Sequence, residues 1–341
     1  MHGDVAVTQT LSAPTAQRTT MSRLAQLTRV TVALLIVAAI VYAVVSDWDD
    51  VRSALITLSW PSVVLAFLAV LAGLAAAVLA WHALLAQEGH LLPLWTAARI
   101  LLVGQLGKYL PGSIWAVVLQ MEIARGAGVP RARTFTTSVV WVGLSVSSAL
   151  TIGLVGLPVL ASLNSPLGWT LIAVLPVALT CTHPRILTML VNLILRLLRK
   201  APLPRPYSWR GVGTAFGWFL LTWVFYGAHL WFLANALGAP GWEGFVRSLG
   251  GFALAVTAGT LFFVAPSGAG VREGLIVAAL AVVMTEGEAL GIAVVSRMIF
   301  TVADVLMAGA AVLSATRFLR RRVSAPWQDD ESTARPTPHS P

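Results

Sequence analysis

The sequence predicts an all-α integral membrane protein with about six full transmembrane helices and two broken, re-entrant helical hairpins in an inverted-repeat arrangement. Three observations carry that prediction. Of 341 residues, 57% are hydrophobic and only 11% charged, with a mean hydropathy of +0.81. A soluble domain carries roughly 25% charged residues, so most of this chain belongs in a medium that penalises charge. Apolar runs long enough to cross a bilayer lie at about 29–45, 61–86, 134–160, 167–183, 211–237 and 289–316. Two further apolar stretches, about 97–121 and 248–285, are interrupted by Pro and Gly at their centres.

In chain order, residues 1–27 are polar and rich in Thr, Ser and Gln, and are expected to form a disordered cytoplasmic tail. The run "VTVALLIVAAIVYAVV" follows Arg18, Arg23 and Arg29 and precedes "SDWDD". Its long basic flank and the spans that follow favour an uncleaved first span over a signal peptide. A polytopic transmembrane domain is expected over 28–320, with halves at about 28–160 and 167–320. Between 184 and 200, "PRILTMLVNLILRLLRK" spaces apolar residues as a helix does and carries four cations. It reads as an amphipathic helix on the membrane surface. Residues 321–341 are polar, rich in Pro and Ser, and read as a second disordered cytoplasmic tail.

The formal charge of +9 does not point to nucleic acid, because the arginines sit at the ends of apolar segments. With the N-terminus inside, 17 of the 23 Lys and Arg residues fall in cytoplasmic segments and only Arg52 and Arg247 in outer loops. That asymmetry is the positive-inside pattern. The remaining cations, Arg99, Lys108, Arg272 and Arg297, belong to membrane segments. The bookkeeping requires each broken stretch to enter and leave on the same side. From Arg99 to Gln120 the chain is too short to cross twice at 1.5 Å per residue. The second stretch could be a hairpin or two full spans. Pro111 precedes the following span at Thr134 by 23 residues, and Pro266 precedes Ala289 by 23 as well. Each half then has three full crossings, an odd number, so the second half sits inverted relative to the first.

The broken stretches concentrate the chemistry. "GQLGKYLPGSIW" (104–115) and "APSGAGVRE" (265–273) place helix breakers beside a lysine and an arginine. Breaks at bilayer depth leave unpaired backbone groups, which persist only in protein or around a wet cavity. A cavity facing Lys108 and Arg272 is therefore expected, with half-helix N-termini suited to an anionic group such as a phosphate headgroup. Arg297 and Asp304, seven residues apart, share one helical face, either as structural partners of the hairpins or as substrate contacts. Glu122 and Arg125 read as interfacial charges, His82 and His229 as packing residues, and the tryptophans near span ends as an aromatic belt.

Catalytic signatures are missing: there is no H-x-x-x-H, G-x-S-x-G or Walker A motif. The lone Cys181 forms no intrachain disulfide or thiolate metal site. No catalytic residue, metal or cofactor is expected.

"GQLGKYLPGSIW" followed by "EIAR", together with "PSGAGVREGL", resembles the signature segments of the lysylphosphatidylglycerol synthase transmembrane family. Its best understood members form the membrane flippase half of the bacterial multiple peptide resistance factor. The resemblance covers about residues 25–320. It implies a protein that moves polar lipid between leaflets, with Gly107, Lys108, Pro111, Gly112, Pro266, Gly268, Gly270, Arg272 and Glu273 forming the cavity. Bifunctional members continue into a soluble synthase domain; this chain ends shortly after its last span, so no aminoacyl transfer is expected. The expectation is thus a flippase of the bacterial cytoplasmic membrane with both termini inside. Lys108 and Arg272 would neutralise a phospholipid or polyprenyl-phosphate headgroup, balanced by Glu273 and Asp304. The alternative is a non-transporting scaffold for a separate synthase or glycosyltransferase.

Overall fold

A computed structural model describes residues 52, 56–110, 114–155, 173, 176–239, 241–261, 268 and 270–323. Among these, every regular element is helical. The order is α1 (Trp60–Gln87), α2 (Leu94–Gln105) running into a 3-10 turn (Leu106–Tyr109), α3 (Trp115–Gly126), α4 (Arg131–Val155) and α5 (Pro184–Leu197), then α6 (Trp209–Ala236), α7 (Gly241–Leu261), α8 (Val271–Leu280) and α9 (Glu286–Val323). The expected span at 29–45, residues 167–172, 174 and 175 of that at 167–183, and the N-terminal tail lie outside the described residues. Helix α9 continues to Val323, three residues into the stretch expected as C-terminal tail, because no proline interrupts the chain before Pro326.

Among the described residues, four helices are long and apolar enough to cross a membrane: Trp60–Gln87, Arg131–Leu154, Trp209–Ala236 and Glu286–Ser314. Each answers an apolar run read from the sequence. Helix α1 shows the logic. Pro61 sits in its first turn, where the missing N–H costs nothing, and no charge interrupts its 28 residues. One face buries Ala66, Val70, Leu74 and Trp81, while Val64, Leu65 and Leu68 stay exposed. Helix α9 likewise exposes Val302, Val305 and Leu306. Large apolar side chains left uncovered in such stripes are the surface a bilayer would cover.

Both interrupted stretches form hairpins of antiparallel arms. In the first, Gly104 packs on Gln120 and Gly107 on Ala116. A Cβ on Gly107 would lie 2.6 Å from the Ala116 backbone nitrogen, so only glycine lets the arms close there. In the second, Gly251 packs on Ala279 and Gly259 on Gly268. At 1.5 Å per residue, the 12 residues of α2 and of α3 extend about 18 Å each, and the 10 of α8 about 15 Å. None spans a hydrocarbon core of about 30 Å. The reading of the second stretch as two full spans therefore fails at α8, although α7, with 21 residues, is long enough. The hairpins are exchanged across the fold: α2 packs on α9 and α7 on α4, while α1 and α6 share the most extensive helix–helix contact.

Helix α5 buries Leu187, Val191 and Leu195 against Ala80, Val140, Leu144 and Phe219, and leaves Met189, Leu193 and Leu197 exposed. Its inner face is thus committed to protein. The loop that follows is tied down by Leu203 N–H on Asn192 (2.9 Å), Tyr207 N–H on Thr188 (3.0 Å) and the Ser208 hydroxyl on Gln87 (2.9 Å). Beneath it lies Glu88, just past the end of α1 and only 2% exposed. Its carboxylate accepts from the Tyr207 hydroxyl at 2.7 Å and from Thr136 at 3.0 Å. Burial raises the Glu88 pKa above the usual 4.5, outweighing the hydroxyl donors and nearby Arg133 that oppose it. A carboxyl whose folded pKa is raised contributes stability that is complete below its unfolded value and is lost as pH climbs through the folded value. Thermal unfolding of wild type and Glu88→Gln in detergent should therefore run parallel near pH 4, with wild type losing ground as pH rises above the ordinary carboxyl range. Parallel curves throughout would show that burial of this carboxyl is not felt.

Candidate functional site

The close approach at Gly107 fixes the 3-10 turn that carries Lys108 and Tyr109 at the tip of the first hairpin. Both side chains reach one oxygen on α9: Lys108 Nζ lies 2.5 Å from Asp304 Oδ2, and the Tyr109 hydroxyl donates to the same atom at 2.6 Å. Asp304 is 3% exposed. A carboxylate at that depth is tolerable only because an ammonium and a phenol replace its water. Lys108 lies over the Tyr109 ring, 5.3 Å from its centroid, and keeps 30% side-chain exposure towards a cavity.

Arg272 approaches from the first turn of α8 and is 9% exposed. Its guanidinium lies over Phe300 and Phe252, 4.7 and 5.0 Å from the ring centroids, where the ring faces supply part of the counter-charge. Nη2 donates to Ser296 Oγ at 3.3 Å, and that hydroxyl sits 2.9 Å from His229 Nε2. His229 Nδ1 faces the Tyr226 carbonyl, which can only accept. The proton therefore rests on Nδ1, Ser296 donates to Nε2, and the serine lone pair remains for Arg272. Among the described residues no carboxylate forms an ion pair with Arg272, and its Nε has no partner.

Glu273, beside Arg272, turns the other way. One oxygen accepts from the Gly270 N–H at 2.7 Å and the other meets Arg297 Nη1 at 2.7 Å. The α8 N-terminus is thus capped by its own carboxylate and clamped to α9. Arg297 and Asp304, sharing a face of α9, divide their work: one holds the second hairpin, the other the first. Gly268 adopts φ +68° and presses on the Gly259 backbone, and Gly270 begins α8 with φ +84°. Pro111, Gly112 and Pro266, also expected in the cavity, lie outside the described residues.

Between the described arms of the two hairpins lies a cavity of about 240 Å³, well above the roughly 10–15 Å³ that admits one water. Lys108, Arg272 and Asp304 border it, and it continues to Gln105, Gln120 and Ser138 and to the aromatic faces of Trp141, Tyr226 and Phe252. Gln120 accepts from the Ser138 hydroxyl at 2.7 Å, which ties the first hairpin to α4. Glu122 pairs instead with Arg131 away from this centre, and His82 Nε2 meets the Leu92 carbonyl at 2.9 Å. Sequence reasoning missed Tyr109, Gln120, Trp141 and Ser296, whereas His229, read as a packing residue, is fully buried against Phe252 and Phe300 and also reaches Ser296. Gln120, a fully polar side chain within the second arm, carried a readable signal. Ser296 and His229 carried none that separates them from ordinary packing residues.

Broken helical hairpins packed among long apolar helices, with paired and unpaired charges at a shared and otherwise largely apolar cavity, define a membrane protein that is all-helical over its described residues. The family model described as the lysylphosphatidylglycerol synthase TM region matches residues 30–309, and the chain belongs to that family. Membership associates it with membrane lipids. Comparison with curated proteins finds no match.

Proposed function

We propose that the protein is a lipid flippase or closely related lipid transporter, which passes the polar headgroup of a phospholipid or polyprenyl-phosphate lipid between the leaflets of the bacterial cytoplasmic membrane while the acyl or prenyl chains stay in the bilayer. No bond is made or broken in this reading. The observation that carries it is the interior cavity bounded by Lys108, Arg272 and Asp304, because charge at bilayer depth is costly and is kept where something polar must pass. Six crossings in two inverted halves complete the picture. Support for that arrangement comes from the reciprocal packing, in which each hairpin leans on the final long helix of the other half. Rocking of one half against the other would open the chamber alternately to the two sides.

Reconstituted into liposomes with a headgroup-labelled phospholipid, the protein should accelerate leaflet exchange over protein-free vesicles. Arg272→Gln should slow that exchange at least about tenfold, since a desolvated charge-assisted contact is worth roughly 1.5–3 kcal/mol. Wild-type protein that moves no labelled lipid, or an Arg272→Gln rate equal to wild type, overturns the reading.

A further inference from the structure

Resting on the headgroup-binding reading above, we infer that the chamber takes a singly charged phosphodiester headgroup and rejects a lipid ending in a phosphomonoester, with Asp304 as the residue that sets this limit. The charge count is short. Among the described residues three charged side chains border the cavity: Lys108, Arg272 and Asp304. Lys108 and Asp304 cancel each other across 2.5 Å. Glu273 and Arg297 cancel in the same way behind α8. One positive charge is left, on Arg272, whose partners among the described residues are neutral: Ser296 and the faces of Phe252 and Phe300.

One surplus charge in a largely apolar cavity matches one negative charge. A phosphodiester carries one; a phosphomonoester carries about 1.5 to 2 near neutral pH. The second charge would have to take Lys108 from Asp304 and so leave a buried carboxylate with one phenol, or remain uncompensated itself. The shape agrees. A diester has a second substituent beyond phosphorus, and the cavity continues past the cations to Gln120, Ser138 and Trp141. Glycerophospholipids and polyprenyl-phosphosugars share this diester chemistry.

The test is native mass spectrometry of the full chain in maltoside micelles at about pH 8, where a monoester carries close to its full second charge, with equimolar lipid pairs. One arm offers phosphatidylglycerol against phosphatidic acid; the other offers a polyprenyl-phosphomannose against the polyprenyl phosphate. The arm with the greater retention identifies the lipid source. In that arm wild type should retain the diester over the monoester at least about tenfold, given the cost of uncompensated charge at depth. Asp304→Asn raises the surplus to two and should bring the ratio to one or invert it. Lys108→Met combined with Asp304→Asn returns the surplus to one and should restore the wild-type ratio, as should Asp304→Glu. The last two variants keep the test valid if Asp304→Asn alone does not fold, a point checked by gel filtration and thermal unfolding. A wild-type ratio near one, a ratio unmoved by Asp304→Asn, or loss of preference in the double variant or in Asp304→Glu overturns this inference while leaving the transport reading standing. No lipid retained in either arm, or retention unaffected by Arg272→Gln, overturns both.

Discussion

Asp304→Ala should be among the most destabilising single substitutions in the protein, costing roughly 3–5 kcal/mol as expected for breaking a buried ion pair. The loss has two parts. Lys108 is left with a charge and no anion, and the Tyr109 hydroxyl loses its acceptor. Because Lys108 keeps 30% exposure to the cavity, hydration there should place the loss towards the lower end of that range. Thermal or denaturant unfolding in detergent micelles measures it. The companion variant Lys108→Met/Asp304→Leu removes both charges and should recover most of the stability, since replacing a buried pair by apolar residues of similar size is often neutral. A double variant as unstable as the single one would show that the helix, and not the charge, was injured. By the charge count the same double variant leaves the single surplus on Arg272, so headgroup preference should survive removal of the pair and be lost only when its acid alone is removed.

Gly268→Ala should follow closely, at about 2–4 kcal/mol, from a clash and a backbone strain that add. A Cβ there would stand 2.6 Å from the Gly259 Cα, a backbone atom that cannot rotate away, and φ is +68°. Gly270 separates the two effects. Its φ is +84°, but a Cβ would meet open space, so Gly270→Ala should cost only about 1 kcal/mol of conformational strain. Unfolding midpoints of the two variants in the same detergent make the comparison. Equal losses would mean that the contact with Gly259 does not hold the hairpin closed. Since Gly259 borders the cavity, the Gly268→Ala variant should also report opening of the chamber through faster proteolysis around the second tip.

Much of the architecture was legible in the chain. Twenty-eight uncharged residues from Trp60 to Gln87 leave few options besides a crossing helix. Glycines and prolines beside Lys108 and Arg272 marked both breaks, because a broken helix and a charge in hydrocarbon are each expensive alone and tolerable around a shared cavity. The length of α8 was not legible: apolar content continues from Ser248 to Thr285, and only the pairing of Gly251 with Ala279 and of Gly259 with Gly268 shows the chain folding back.

By itself the sequence determined the membrane class, the family, the two interruptions and the identity of the cations at their tips, since these follow from hydropathy, helix-breaking residues and local motif. Only the tertiary structure decided which acid meets which base. Asp304 lies 195 positions from Tyr109, and Glu273 is adjacent to Arg272 in sequence yet binds Arg297. Such pairings depend on where helices cross and which way each side chain points, which periodicity does not encode. That choice leaves Arg272 as the uncompensated charge among the described residues of the chamber.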